Sequence, residues 1–246
     1  MEFETVWKWF CKISLIFFLI MLLNSVLGDI LFRLSYGFPK VSEITETKIN
    51  TKQDPLQVCI SSQKYIKVHG EKHKYAILPQ AEYSLAGLVV AKNTNFWFRD
   101  IMRSDFDDVF LIDLGIAWGE LATDKKELYR HWKFKSYKSL GQSRQLEWRS
   151  RPPYSDTHWD LGYVSSHVSH THIIPANANV MGGLLKIKKN DIVKIDGYLV
   201  DIYTEKGEVL GKSSLSRTDT DATSRGYGAC EEMYVKQVQI GNKIYR

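Results

Sequence analysis

The hydrophobic positions of this 246-residue chain follow two patterns. Near the N-terminus they form one run, residues 13–28, that carries no charge. Beyond it they come in short β-branched or alternating stretches bounded by Gly, Pro, Asn and Asp, which mark strands and turns. Residues 57–61 and 65–68 read as short strands. Residues 83–91 read as a longer strand buried on both faces, where Gly87 allows a bulge or a close backbone approach. Residues 105–108 carry acidic side chains suited to a helix start, and 113–119 place Trp118 as a core anchor.

The most organised stretch runs from Ser165 to Val238. Residues 165–175 read as a strand. Pro175 then fits a first helical turn, and 176–186 carries an apolar stripe of Val180, Leu184 and Leu185. Residues 191–202 form the next strand, and Gly207 marks a hairpin turn that returns through 209–216. Residues 230–240 close as a last strand. The expected fold is mainly β (α+β): an N-terminal membrane helix, then a β-rich domain, with an OB-like small barrel plugged by one helix as its concrete form. The expected division is a short cytoplasmic tail at 1–12, a transmembrane anchor or signal peptide at 13–33, a linker at 34–55 and an exported domain at 56–246. That domain divides further into sub-units 56–160 and 161–246.

The anchor expectation rests on particular residues. Glu2 and Glu4 accompany Lys8 and Lys12 ahead of the apolar run, so the positive n-region of a signal peptide is missing. Trp7, Trp9 and Phe10 sit where an interfacial aromatic belt belongs, and Lys12 and Arg33 flank the run. This reading places the chain in a bacterial inner membrane by a single pass through 13–33, with the C-terminal domain outside the cytoplasm.

Charge modifies this picture through its distribution rather than its sum of +5. Residues 99–124 are acidic, with a net charge of −5, and 125–151 are basic, with a net charge of +7. The basic block interleaves aromatic side chains, among them Trp132, Phe134 and Trp148 with Arg149. It reads either as a half-buried edge strand, aromatics in and charges out, or as a surface for an anionic envelope component or nucleic acid. Export disfavours nucleic acid.

Candidate chemistry is sparse. His170 and His172 lie two apart, so on a strand they share a face while His167 takes the other. A zinc site needs three or four convergent ligands, and no Cys or Glu cluster is adjacent in sequence. His172, Arg217 and Asp219 are candidate binding residues with Trp132 and Arg149, and His170, His172 and Asp219 offer the alternative of a metal-dependent or hydrolase-like envelope enzyme. Cys59 and Cys230, left after Cys11, are candidates for one disulfide or for two free thiols. The sequence lacks G-x-S-x-G, P-loop and H-E-x-x-H patterns. No cofactor is expected, and the reading favours a non-catalytic binding or assembly domain.

Several motifs carry a resemblance. Ser169-x-x-His172-Ile173-Ile174-Pro175, Asp191-x-Val193-x-Ile195-x-Gly197-x-Leu199, Ser213-Ser214-x-x-Arg217-x-Asp219-Thr220 and Gly228-Ala229-Cys230-Glu231 together resemble an uncharacterised family of bacterial membrane-anchored proteins. The likeness spans roughly residues 80–240 and implies an anchored, exported domain of no assigned activity. Asn190 stands where the pattern leads one to expect Gly.

Overall fold

The computed structural model describes residues 3–61, 64–70, 72–94, 104–138, 144–152, 159–213, 215 and 230–246. The chain opens with helix α1 (Phe3–Ser35), whose described side chains Trp7 to Leu34 lie exposed. Among the described residues no helix is long and apolar enough to cross a membrane. The anchor at 13–33, and the inner-membrane and exported placement built on it, are therefore corrected. Asn24, Ser25 and Asp29 interrupt the apolar run. The part before them, residues 13–23, spans about 16 Å as a helix, roughly half a hydrocarbon core.

The rest of the chain is mainly β. Strands β1 (Glu43–Ile44), β2 (Leu56–Cys59), β3 (Ile66–His69), β4 (Lys74–Thr94), β5 (Ile112–Ala117), β8 (Val168–Pro175), β9 (Ile192–Thr204), β10 (Val209–Lys212), β11 (Cys230–Ile240) and β12 (Lys243–Tyr245) join one 10-stranded sheet. A separate hairpin pairs β6 (Trp132–Lys138) with β7 (Arg144–Ser150). The helices are α2 (Asp105–Val109), α3 (Glu120–Thr123), α4 (Lys125–His131), α5 (Leu161–Ser166) and α6 (Ala178–Lys186).

The small barrel expected from the sequence is corrected to a larger, 10-stranded sheet. Its order runs β1-β12-β11-β8-β5-β4-β9-β10, with β2 and β3 attached to β4. An additional β11–β9 pairing curls its middle, so that β4, β5, β8, β11 and β9 are neighbours in turn. The alternation of side chains along these strands then defines an inner and an outer face. The inner face holds the largest apolar cluster, including Leu85, Leu114, Ile173, Ile195 and Met233, and α6 seats Val180, Met181 and Leu184 into it. Lys92 fixes the far end of that helix, its ammonium donating to the carbonyls of Leu184, Leu185 and Ile187 at 2.8–3.0 Å.

Two smaller apolar clusters cover the outer face. Val168, Ala117 and Leu88 meet Trp132 and Phe134 of the β6–β7 hairpin at one end. Ile174, Val200 and Ile202 meet Val109 and Phe110 of α2 and its flank at the other. The aromatic-in, charge-out reading of the basic block holds here: Trp132 and Phe134 are buried, whereas Lys133 and Lys135 are exposed.

Two local departures have physical reasons. Strand β4 begins at Lys74, well before the apolar run at 83–91, because Pro79 sits at a register shift against β9 where its missing N–H disturbs the ladder least. Asn190, standing where Gly was expected, takes φ 78°, the left-handed region that Asn enters more readily than most residues.

The β9–β11 contact is tight. An added Cβ at Gly197 would lie 2.0 Å from the Tyr234 carbonyl oxygen. Gly197→Ala should therefore destabilise the protein by about 3 kcal/mol, near the upper end of overpacking costs. Urea unfolding checks this, and an unchanged midpoint would contradict the pairing of these strands.

Candidate metal centre

The outer face of β8 reads Val168, His170, His172, Ile174, two apolar positions enclosing two histidines. Antiparallel pairing with β5 places Asp113 opposite His172 and Gly115 opposite His170. Parallel pairing with β11 places Cys230 opposite His170 and Glu232 opposite His172. A band of ionisable side chains thus crosses three strands between the two outer apolar clusters. Gly115 matters for what covers this band. With no Cβ there, the Leu146 side chain packs onto the strand, 3.0 Å from where a Cβ would stand, and β7 brings Arg144 over the sheet.

His170, His172 and Cys230 converge: one ligand atom from each lies within 4.8 Å of the other two. The two imidazole rings meet edge to face at 4.5 Å, and Cys230 Sγ stands 3.5 Å from His170 Nδ1. His172 Nδ1 donates to Asp113 Oδ1 at 2.7 Å, which leaves Nε2 as its ligand atom. Asp113 Oδ2 faces Arg144 Nε at 3.1 Å, and Asp107 Oδ1 stands 3.6 Å from the same nitrogen. Phe106 of α2 and Phe110 just beyond its end pack their rings against His172.

Burial sets the protonation of the cluster. His170 is 3% exposed. Desolvation, reinforced by His172 and Arg144 and opposed by Asp113, pulls its imidazole down to about 3. Desolvation also pushes the Cys230 thiol up to about 12, with Asp113, Glu232 and Glu231 adding to the shift. Burial alone would raise the Asp113 carboxyl, but Arg144 and then His172 outweigh it and hold it below the ordinary value. The pair facing each other is therefore a neutral imidazole and a protonated thiol. That pair is a poor nucleophilic dyad, which needs an imidazole basic enough to take the thiol proton. It is a good precursor of a metal site, whose histidines bind neutral and whose cation stabilises the thiolate.

Polar satisfaction gives a second, independent indication. His170 Nε2 is buried with no hydrogen-bond partner among the described residues. Buried polar atoms are nearly always paired, so an orphan imidazole nitrogen beside a thiol and a second histidine needs a specific cause. Bonds of about 2.0–2.3 Å to one ion require these atoms to draw together by on the order of 1 Å. The donor set, two imidazoles and one thiolate, suits zinc-class ions and not magnesium or calcium.

The other residues singled out in the sequence lie elsewhere. Trp132 is 4% exposed in the outer core, so its face cannot stack a base or a sugar. Arg149 is exposed and pairs with Glu147 of its own strand. Arg217, Asp219 and His158 lie outside the described residues. Cys59 is an exposed free thiol on β2, opposite Ala81, and Cys230 is likewise free. The acidic run 105–108 starts α2 as expected, with a capping box between Ser104 and Asp107. Asp108 instead ties the turn before β4, accepting from the backbone of Lys72 and His73 and from the Tyr75 hydroxyl.

Three members of the centre escaped the sequence reading: Asp113, Arg144 and the ligand role of Cys230. One signal was present, since Asp113 is the lone charge in the otherwise apolar run 109–118. Comparison with protein-family models, curated proteins and solved structures finds no match.

Glu232 gives the band a measurable pH signature. Desolvation, then Asp201 and Glu231, push its carboxyl up to about 8 from 4.5. Between those values the folded chain keeps a proton that the unfolded chain releases, so stability falls as pH rises from about 4.5 to about 8. Glu232→Gln should flatten that slope. Chemical denaturation at pH 5 and pH 8 checks it, and an equal slope in both proteins would refute the assignment.

Proposed function

We propose that this protein binds a zinc-class transition-metal ion through His170, His172 and Cys230, with Asp113 orienting His172 and Arg144 holding Asp113. The observation that carries this reading is the convergence of the three ligand atoms within 4.8 Å, one of them on an imidazole whose Nε2 has no hydrogen-bond partner among the described residues. Three protein ligands on a four-coordinate ion leave one position for an exogenous ligand, the arrangement of reactive rather than purely structural zinc sites. The Asp113–His172 contact is the usual support for such a ligand: a carboxylate on the far ring nitrogen fixes the tautomer and raises the basicity of the near one.

This reading draws on the metal-dependent alternative seen in the sequence, with Cys230 in place of Asp219 as the third group. The rival, a non-catalytic module that uses the basic-aromatic block, has less support. Its aromatic faces are spent on the core, and the open groove of about 900 Å³ beside α6 uses Lys92 to hold helix carbonyls.

Cobalt and zinc titrations of the full chain test the proposal. One equivalent should bind, and cobalt should give a thiolate charge-transfer band that Cys230→Ser removes. His172→Ala should weaken binding strongly, and Asp113→Asn by about 10- to 100-fold, the usual loss for a supporting carboxylate. A chain that takes up neither ion, or a Cys230→Ser variant that keeps the band, would sink this reading.

A further inference from the structure

Arg144 heads the fully buried side chains, at 0% exposed. Its Nε faces Asp113 and Asp107, and its guanidinium lies 5.6 Å from the centre of the Phe106 ring. Among the described residues none of its guanidinium nitrogens has a hydrogen-bond acceptor: Nε keeps its ion pair with Asp113, and Nη1 and Nη2 have neither. Desolvated charged donors are among the costliest groups to leave unpaired, so an enclosed guanidinium with its fork unused calls for a ligand-based explanation. A guanidinium fork matches one kind of partner particularly well, the paired oxygens of a phosphoryl or carboxylate group.

Position links this fork to the metal centre. A single carboxylate separates the two, since Asp113 uses Oδ1 for His172 and Oδ2 for Arg144. We propose that Arg144 Nη1 and Nη2 seat the oxyanion group of the ligand that occupies the open position of the ion, so that the substrate or effector of this centre is a small oxyanion or carries one. This inference rests on the metal reading above and adds the chemical class of what the metal meets.

Electrostatics makes the seat conditional on the ion. In the metal-free chain an incoming anion meets Arg144 together with the carboxylates of Asp107 and Asp113, and is repelled. A divalent ion with Cys230 as thiolate brings the formal charges of this set to zero. The oxyanion then gains both a metal bond and the fork without opposing net charge. Oxyanion affinity should therefore depend on metal, and a lysine at 144 should not replace arginine, because it keeps the charge but loses the paired donors.

The experiment uses the full chain loaded with cobalt, titrated with inorganic phosphate and separately with acetate while the visible bands are followed. The expected result is a saturable shift with at least one of the two anions, with no binding of either to the metal-free chain. The anion that binds more tightly tells a phosphoryl from a carboxylate ligand. Arg144→Lys, with cobalt still bound, should weaken that anion about tenfold or more. The wild-type titration stands even if this variant does not fold. Cobalt uptake with no response to either anion overturns this inference alone, as does unchanged anion affinity in Arg144→Lys. Failure to take up cobalt overturns the metal reading and this inference with it.

Discussion

The parallel pairing of β8 with β11 is the constraint on which the candidate centre depends. It sets Cys230 against His170 across 60 residues of chain, and no local feature of either segment could do so. Parallel neighbours need a long crossover. Here it runs through α6, which packs on the inner face, and through β9, which pairs with β11 on its other side. The same register places Glu232 beside His172 and brings Tyr234 level with Ile174. A slip of one residue would carry Cys230 and Glu232 to the inner face and bring Met233 out, which would destroy the ligand set and put a carboxylate into the main core.

Alternation on these strands separates stability from chemistry. On β8 the inward side chains end in Ile173 within the large apolar core, while the outward ones include both histidines. The outer apolar clusters seal the ends of the band: Val168 with its neighbours on one side, and Ile174, Phe106 and Phe110 on the other. Burying a band of ionisable groups in this way is costly unless they partner one another. The structure meets part of that cost through the chain Arg144–Asp113–His172. Among the described residues it leaves His170 Nε2, Glu232 Oε2 and the Arg144 guanidinium without a hydrogen-bond partner. The metal and oxyanion readings are addressed to His170 and Arg144 among these groups.

Much of the fold could be read in the sequence. The strands at 57–61, 83–91, 191–202 and 230–240 betray themselves by β-branched alternation and by turn residues at their ends, and the helix at 176–186 by its apolar stripe. The first half of β4 was hidden because Pro79 looks like a strand breaker, and only the register shift against β9 accommodates it. The centre was half legible. His170 and His172 announce a shared face through their spacing alone. Cys230 carries no local sign of its partner, and Arg144 is one of nine basic residues in a block that is otherwise mostly at the surface. Burial, not residue type, distinguishes Arg144 from Arg149, and burial there follows from the packing of β7 over Gly115.

The protonation of the His170–Cys230 pair decides between two chemistries that the same residues could serve. A cysteine beside a histidine invites a nucleophilic reading, which would need the imidazole to accept the thiol proton. Burial forbids that transfer from both sides, lowering His170 and raising Cys230, so that the charged pair is the disfavoured one. A cation would reverse the balance. It would bond the imidazoles in their neutral form and stabilise the thiolate directly, and its charge would offset the carboxylates of Asp113 and Asp107. The desolvation that disables a cysteine nucleophile thus favours a metal ligand, because the water it excludes would otherwise compete for the ion.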